Sequence, residues 1–262
     1  MHASPLIAEA AKALRAARAS AQPIAPVAAA YGLATIDDAY AVAALNTAVR
    51  IAGGGRITGR KIGLTSRAVQ KQLGVDQPDF GVLFADMEYL NGATIPIDRL
   101  LQPKIEAEIA FIVASDLDAA RTPSWGEFLA CLGPALPAME IVDSAIADWK
   151  ISLFDTVADN ASSGLYVVGD QPIAIGGAQL AEVEMRMSVN GEIVSRGKGE
   201  ACLDHPLRAA FWLARTVAAR GEALRAGEII LSGALGPMAS VKSGDEVAAD
   251  FGAFGRVTCR FE

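Results

Sequence analysis

The segment Lys104–Val113 alternates apolar residues with two carboxylates. In a β-strand successive side chains point to opposite faces, so Glu106 and Glu108 share one face. Two ionised carboxylates in apolar surroundings repel each other, and a bound cation relieves that cost. The spacing predicts a strand that presents a pair of metal ligands. It is also compatible with two glutamates that decorate the exposed face of an edge strand.

A third carboxylate, Glu140, lies in a similarly apolar segment, PALPAMEIV. Three carboxylates without cysteine or histidine form a hard oxygen site, which suits Mg²⁺ or Mn²⁺ better than zinc or copper. The chain has only two histidines, His2 and His205, which excludes mechanisms built on several histidines. The three cysteines have neither a zinc-ligand spacing nor a disulfide framework, and they are expected to be buried apolar filling.

Composition limits the classes of function. The chain has 262 residues, of which 52% are hydrophobic and 20% charged, so it can bury a sizeable core and is not an intrinsically disordered protein. A net charge of −7 argues against nucleic acid or an anionic membrane as a partner. No apolar run approaches the roughly 20 residues that a membrane helix needs, and the N-terminus lacks the organisation of a targeting peptide, so a cytoplasmic location is expected.

The helical and the strand-rich parts of the chain occupy different regions. Residues 1–59 predict an N-terminal helical region, with an amphipathic helix near the start and a second helix from Thr35 to Ala52. Thr35 and Asp38 have the spacing of a capping box, and the glycines at 53–55 are expected to end this helix in the left-handed conformation.

Residues 60–262 predict a sheet-rich catalytic core. Asn190-Gly191 predicts a type I′ hairpin turn, and one long helix is expected between Pro206 and Gly221, with His205 in a structural role before it. Strands outnumber helices and do not alternate with them, which indicates an α+β fold rather than a doubly wound parallel sheet.

Several further motifs carry a family resemblance over nearly the whole chain. They occur in the order GRKIGLTSRAVQKQLGVDQPDFG, LQPKIEAEIAF, PAMEIVDS, DWKISLFDTVADNASSG and GEIILSGALGP. In this order and spacing they closely resemble the 2-keto-4-pentenoate (2-hydroxypentadienoate) hydratases of the fumarylacetoacetate hydrolase superfamily, which act in bacterial meta-cleavage degradation of aromatic compounds. The resemblance implies a mixed, rolled β-sheet core and a homo-oligomer, a pentamer or a decamer, which can associate with neighbouring pathway enzymes.

The resemblance also implies site residues. Its metal ligands match Glu106, Glu108 and Glu140, its active-site lysine matches Lys61, and its loop aspartate matches Asp79. The small anionic substrate would be 2-hydroxypenta-2,4-dienoate, hydrated to 4-hydroxy-2-oxopentanoate, with Mg²⁺ or Mn²⁺ as a Lewis acid. A lysine beside a metal and an apolar wall is expected to have a lowered pKa, which suits proton transfer.

Other candidates are open to more than one interpretation. The alternative interpretation of Lys61 is an exposed surface charge without a role in the site. The alternative for Asp79 is a residue that forms a turn after Pro78. Ser162, in the ADNAS segment, and Ser232, in the LSGALG turn, could bind substrate or serve backbone groups. Lys104 shares the face of Glu106 only if the strand already begins there, and it is not among the predicted site residues.

Three other functions compete with hydration. The 2-oxo-3-hexenedioate (4-oxalocrotonate) decarboxylase of the same pathways would use the same metal site. It would, however, need extra positive groups for a second carboxylate. Hydrolytic C–C cleavage would use a histidine-based dyad to activate water, and the sequence has no histidine near the proposed site. A non-catalytic scaffold would not need the intact set of site residues. The length of the substrate's tail is not predicted, since each methylene contributes only about 1 kcal/mol in an apolar pocket.

Overall fold

A computed structural model describes residues 4–67, 70–71 and 75–262, so parts of the GRKIGLTSRAVQKQLGVDQPDFG motif lie outside the described residues. The fold is α+β, as predicted. The helices are α1 (Pro5–Ser20), α2 (Val27–Tyr31), α3 (Ile36–Ala52), α4 (Trp125–Cys131), α5 (Leu153–Ala158) and α6 (Pro206–Ala219). No helix of the described residues is long and apolar enough to cross a membrane.

Two mixed sheets form the rest of the molecule. The strands are β1 (Ile57–Gly63), β2 (Asp79–Phe84), β3 (Glu88–Leu90), β4 (Ala93–Ile95), β5 (Lys104–Val113), β6 (Leu132–Val142), β7 (Ser163–Val168), β8 (Glu184–Val189), β9 (Glu192–Lys198), β10 (Ile229–Leu231), β11 (Ala239–Ser240), β12 (Glu246–Asp250) and β13 (Arg256–Phe261). The larger sheet has the order β2-β1-β10-β5-β6-β7-β3, with β11 also paired to β5, and the smaller has the order β4-β13-β12-β8-β9. The pairs β1–β10, β3–β7 and β4–β13 are parallel and the others are antiparallel, so the predicted mixed sheet is confirmed.

The N-terminal helices form as the sequence predicts. The Thr35 side chain accepts from the Asp38 backbone N–H at 3.1 Å, and Asp38 accepts from the Thr35 N–H at 3.0 Å, which confirms the capping box. Of the three glycines expected to end α3, Gly54 adopts the left-handed conformation with a φ of +94°, whereas Gly53 has a φ of −80°. The boundary between residues 59 and 60 stays a prediction.

Arg18 ties helix α1 to the core. Its guanidinium lies 3.1 Å from Asp143 Oδ2 and 2.8 Å from Asp159 Oδ1. Asp143 follows strand β6, and Asp159 opens the ADNAS loop that leads into β7. Burial raises the pKa of Asp159, and the Arg18 guanidinium offsets part of that effect because it is the opposite charge at contact distance. The N-terminal region therefore fixes the loop on which Ser162 lies.

The local predictions for the second half are confirmed. Asn190 and Gly191 have φ of +52° and +84°, as a type I′ turn between β8 and β9 requires. His205 is structural: its Nδ1 accepts from the Leu207 backbone N–H at 3.1 Å and caps helix α6. The three cysteines are free thiols buried in the protein.

Candidate active site

The register of β5 and β6 brings the three predicted metal ligands together. Glu106 lies directly across from Glu140 in this antiparallel pair, and Glu108 is the next residue on the same face of β5. One carboxylate oxygen of each glutamate lies within 4.8 Å of the other two. Since β5 lies between β10 and β6, and Glu108 and Glu140 are fully buried, the interpretation as decoration of an exposed edge strand is wrong.

Several buried carboxylate oxygens of the described residues have no hydrogen bond, although Glu140 Oε1 lies beside the Lys61 ammonium, and these oxygens test whether the site fits a cation. Glu108 Oε2 accepts from the backbone N–H of Gly233 at 2.7 Å. Within the described part of the chain, Glu108 Oε1, both oxygens of Glu140 and Asp79 Oδ1 are buried without any hydrogen bond. Burying ionised oxygens in this way is costly unless a cation compensates for it. The oxygen donors therefore fit a hard divalent ion.

Lys61 reaches this cluster from another strand. Its Nζ lies 3.2 Å from Glu140 Oε1, and both side chains are buried. Strands β1 and β6 are three steps apart in the sheet, roughly 14 Å if the sheet were flat. The two side chains nevertheless meet at 3.2 Å, so Lys61 and Glu140 converge on one point from strands that are not neighbours. The surface-charge interpretation of Lys61 is therefore wrong.

Asp79 joins the same face from β2. It lies across from Gly63 in the β1–β2 pair, and Lys61 lies across from Gly81, so the side chains of Lys61 and Asp79 point the same way. Asp79 accepts a hydrogen bond from the Gly63 backbone. A Cβ at position 63 would collide with Asp79 Oδ1 and would lie 3.4 Å from Lys61 Nζ. The glycine is thus what lets the lysine and the aspartate approach each other.

The pKa values of the carboxylates and of Lys61 are all raised, but for different reasons. Burial raises the pKa of Glu106, Glu108 and Asp79, and it raises the pKa of Glu140 to about 7. Burial alone would lower the pKa of Lys61, but the surrounding carboxylates, Glu140 first, outweigh it and the pKa is raised. The carboxylates around Lys61 thus favour its ammonium form when no cation is bound to them, and the lowered pKa expected for a lysine beside a metal stays a prediction.

The two candidate serines lie in different surroundings. Ser162 is buried, with its Oγ 3.1 Å from Thr156 Oγ1. The preceding Asn160 pairs its side chain with both backbone groups of Val82, and a Cβ at Gly81 would collide with Asn160 O. This loop therefore lies on the same face of β2 as Asp79.

Ser232 serves backbone groups at the end of β10. Its Oγ accepts from the Ile109 N–H at 3.3 Å and is 3.4 Å from Gly233 O. The group that reaches the glutamates is instead the neighbouring Gly233 N–H, which sequence reasoning missed. The LSGALG motif had pointed to this turn, but the pattern of side chains could not predict that a backbone N–H would make the contact with Glu108.

Comparisons with known proteins agree with this geometry. The profile of the fumarylacetoacetate (FAA) hydrolase C-terminal family matches residues 57–262. The chain belongs to this family. Its relatives include the 2-keto-4-pentenoate hydratase of Paraburkholderia xenovorans (strain LB400), 52% identical over 254 residues, which are 97% of this chain and 94% of that protein. The 2-hydroxyhexa-2,4-dienoate hydratase of Comamonas testosteroni is 43% identical over 228 residues, 86% of each chain.

A solved structure of the family covers the full chain. The 4-oxalocrotonate decarboxylase from Pseudomonas putida G7, complexed with magnesium and adipate, superimposes with a TM-score of 0.93. It is 31% identical and covers 100% of this chain and 99% of its own. The predicted rolled core of the FAA hydrolase type, with its small N-terminal helical region, is confirmed.

Proposed function

We propose that this FAA hydrolase family member is a divalent-metal-dependent hydro-lyase that adds water to 2-hydroxypenta-2,4-dienoate and gives 4-hydroxy-2-oxopentanoate. The observation that carries the proposal is the cluster of the buried Glu108 and Glu140 with the partly exposed Glu106, and with Lys61 in contact with it. A divalent ion held by the three glutamates, Mg²⁺ or Mn²⁺, would supply Lewis-acid stabilisation of negative charge on the oxygen beside the substrate carboxylate.

The chain's own residues account for the proton transfers. We assign Lys61, an ammonium at neutral pH, to deliver a proton to the terminal carbon of the dienol. Asp79 has a raised pKa and an unpartnered oxygen, and we assign it to accept the proton of the attacking water. The enol and the water each lose one proton, and the terminal carbon and the carbon next to the keto group each gain one. Lys61 would regain its proton from the enol hydroxyl, and Asp79 would pass the proton of the water to the carbon next to the keto group, so both residues end the reaction in the states in which they began.

Ser162 and Ser232 are weaker proposals. The loop that carries Ser162 is packed against β2 beside Asp79, which supports a place for this loop at the substrate. The Ser232 hydroxyl already serves backbone groups, so we propose for it only an indirect role through Gly233 and Glu108.

The relatives support the substrate class. One hydratase named for the five-carbon 2-keto-4-pentenoate and one named for a six-carbon 2-hydroxydienoate are both similar to this chain, which supports a small 2-keto acid and leaves its tail as the variable part. The second candidate is decarboxylation of 4-oxalocrotonate, favoured by the full-length similarity to a decarboxylase.

The experiment follows the loss of the dienol absorbance of 2-hydroxypenta-2,4-dienoate with Mg²⁺ or Mn²⁺ and after chelation. Metal-dependent consumption to 4-hydroxy-2-oxopentanoate is expected. Glu106→Gln should lose both metal binding and turnover, whereas Glu246→Gln, an exposed glutamate of the smaller sheet, should keep both. Unchanged metal binding and turnover in Glu106→Gln would overturn the site. Release of carbon dioxide from 4-oxalocrotonate, without hydration of the dienoate, would favour the second candidate.

Assembly and location stay predictions. We propose a homo-oligomer, a pentamer or a decamer by family resemblance, which is located in the cytoplasm and contacts neighbouring pathway enzymes. Light scattering coupled to gel filtration of the purified chain measures its mass, and a monomer would contradict the proposal.

A further inference from the structure

Lys104 lies on the same side of the sheet as the metal-binding carboxylates. Strand β5 begins at this residue, so Lys104, Glu106 and Glu108 form one row on a single face. Exposure increases along the row, from the fully buried Glu108 to the partly exposed Glu106 and Lys104. The lysine therefore marks the end of the row that faces solvent.

The ammonium of Lys104 is held without being neutralised. It lies over the ring of Trp149, 4.4 Å from the centroid. Among residues 4–67, 70–71 and 75–262, no carboxylate oxygen lies within 4.0 Å of the Lys104 Nζ, so the lysine forms no ion pair with them. An aromatic face attracts a cation weakly and leaves its full charge available to a ligand. Lys61, in contrast, already pairs with Glu140.

The ring that holds Lys104 is itself fixed. Trp149 Nε1 donates to Gln102 O at 3.0 Å. The Gln102 side chain donates to Ser144 O and Ile146 O at 2.9 and 2.8 Å, and it accepts from the Asp148 N–H at 2.8 Å. Trp149 has a φ of +55°, a left-handed conformation that a bulky residue adopts only when its surroundings impose it. The loop thus holds the lysine in a defined position beside the glutamates.

The net negative charge of the site would repel an anionic substrate unless a cationic side chain such as Lys104 offsets it. When all four carboxylates are ionised, as metal binding requires of the glutamates, the cluster with the Lys61 ammonium carries three negative charges, and a divalent cation would reduce this to one. An anionic substrate would still be repelled at the entrance. We propose that Lys104 is a substrate-binding residue whose ammonium attracts and binds the carboxylate of 2-oxo acids as they enter the carboxylate cluster. The inference rests on the proposed function and identifies the residue that overcomes this repulsion.

The test uses full-length protein loaded with Mg²⁺ and 2-oxopentanoate, a saturated 2-oxo acid that cannot be hydrated. Binding is measured by calorimetry and by tryptophan fluorescence. In Lys104→Met we expect about tenfold weaker binding of 2-oxopentanoate, and about threefold tighter binding of Mg²⁺ because a positive charge near the site is gone. Lys104→Arg should restore ligand binding, and Lys12→Met, an exposed lysine of α1, should change neither. The fluorescence change on ligand binding should be lost in Trp149→Phe.

The outcomes separate this proposal from the proposed function. If wild-type protein binds 2-oxopentanoate and Lys104→Met binds it equally well, the role of Lys104 is overturned. If Lys104→Met weakens Mg²⁺ and 2-oxopentanoate together, the lysine has a structural role and the proposal fails. Should Lys104→Met not fold, Lys104→Gln gives the same comparison. If the wild-type protein binds 2-oxopentanoate through Lys104 but consumes no dienoate, the proposed function fails and the binding role of Lys104 stands.

Discussion

Adding Mg²⁺ to the metal-free protein at pH 8 is expected to raise its melting temperature by roughly 5–10 °C. Glu108 and Glu140 have buried oxygens without a hydrogen bond, and the Lys61 ammonium contacts only one of them, Glu140 Oε1, so a divalent cation or a proton would stabilise the cluster further. A ligand at about 100 times its Kd stabilises the folded state by about 2.7 kcal/mol. For a chain of this size about 1 kcal/mol corresponds to roughly 2–4 °C. The shift follows from the site alone and does not require turnover.

The pH dependence has a definite direction. Burial raises the pKa of Glu140 to about 7, from an ordinary value of 4.5. The folded metal-free protein therefore holds this proton more tightly than the unfolded chain does, and the stability this contributes is lost as the pH rises from about 4.5 to about 7. Below pH 7 a metal ion must displace the proton, which weakens apparent affinity about tenfold per pH unit. The Mg²⁺-induced shift should therefore be largest above pH 7 and should diminish towards pH 5.

Calorimetric melting with and without Mg²⁺, at pH values from 5 to 8, measures both effects. Glu140→Gln should abolish most of the shift and its pH dependence, because the amide neither titrates nor offers a charged ligand. Glu246→Gln is the matched control, since this glutamate is exposed on the other sheet. A shift of equal size at all pH values, or one that persists in Glu140→Gln, would refute the assignment of this carboxylate as a ligand.

Three further substitutions test single contacts. Lys61→Met should reduce turnover by about 100-fold or more while Mg²⁺ binding measured by calorimetry is retained, and near-normal turnover would remove the lysine from the proton transfers. Gly81→Ala should cost about 1–3 kcal/mol in urea unfolding because its Cβ would collide with Asn160 O, whereas Gly126→Ala, with open space around it on α4, should not destabilise. Arg18→Met leaves two buried aspartates without their cation and should cost about 2–4 kcal/mol in the same assay; a change under about 0.5 kcal/mol would contradict the ion-pair argument.

Local chemistry explains what could be predicted from the sequence. The capping box of α3 and the Asn190-Gly191 turn are short-range patterns, and each formed as expected. The alternation in β5 correctly placed Glu106 and Glu108 on one face. Such features depend on neighbours within a few residues, so composition and spacing are sufficient to predict them.

The remaining features of the site depend on long-range pairing. The register that sets Glu106 across from Glu140 joins strands that are distant in the sequence, and family resemblance rather than alternation anticipated it. The contact between Lys61 and Glu140 joins β1 and β6, which are three steps apart in the sheet and distant in the sequence. Lys104 was left out because its face depended on whether β5 begins at that residue, which a boundary of one residue decides.

The raised pKa of Lys61 changes how its role is understood. In the metal-free protein its ammonium partly compensates the same carboxylates that would bind a divalent ion. Proton binding at the lysine and cation binding at the glutamates are therefore linked, and each weakens the other by the same factor. Neutralising the glutamates removes the attractions that hold the proton on Lys61, and burial then favours the neutral amine. A buried lysine beside three metal-binding glutamates can thus serve as a proton donor whose acidity increases only when the site is loaded.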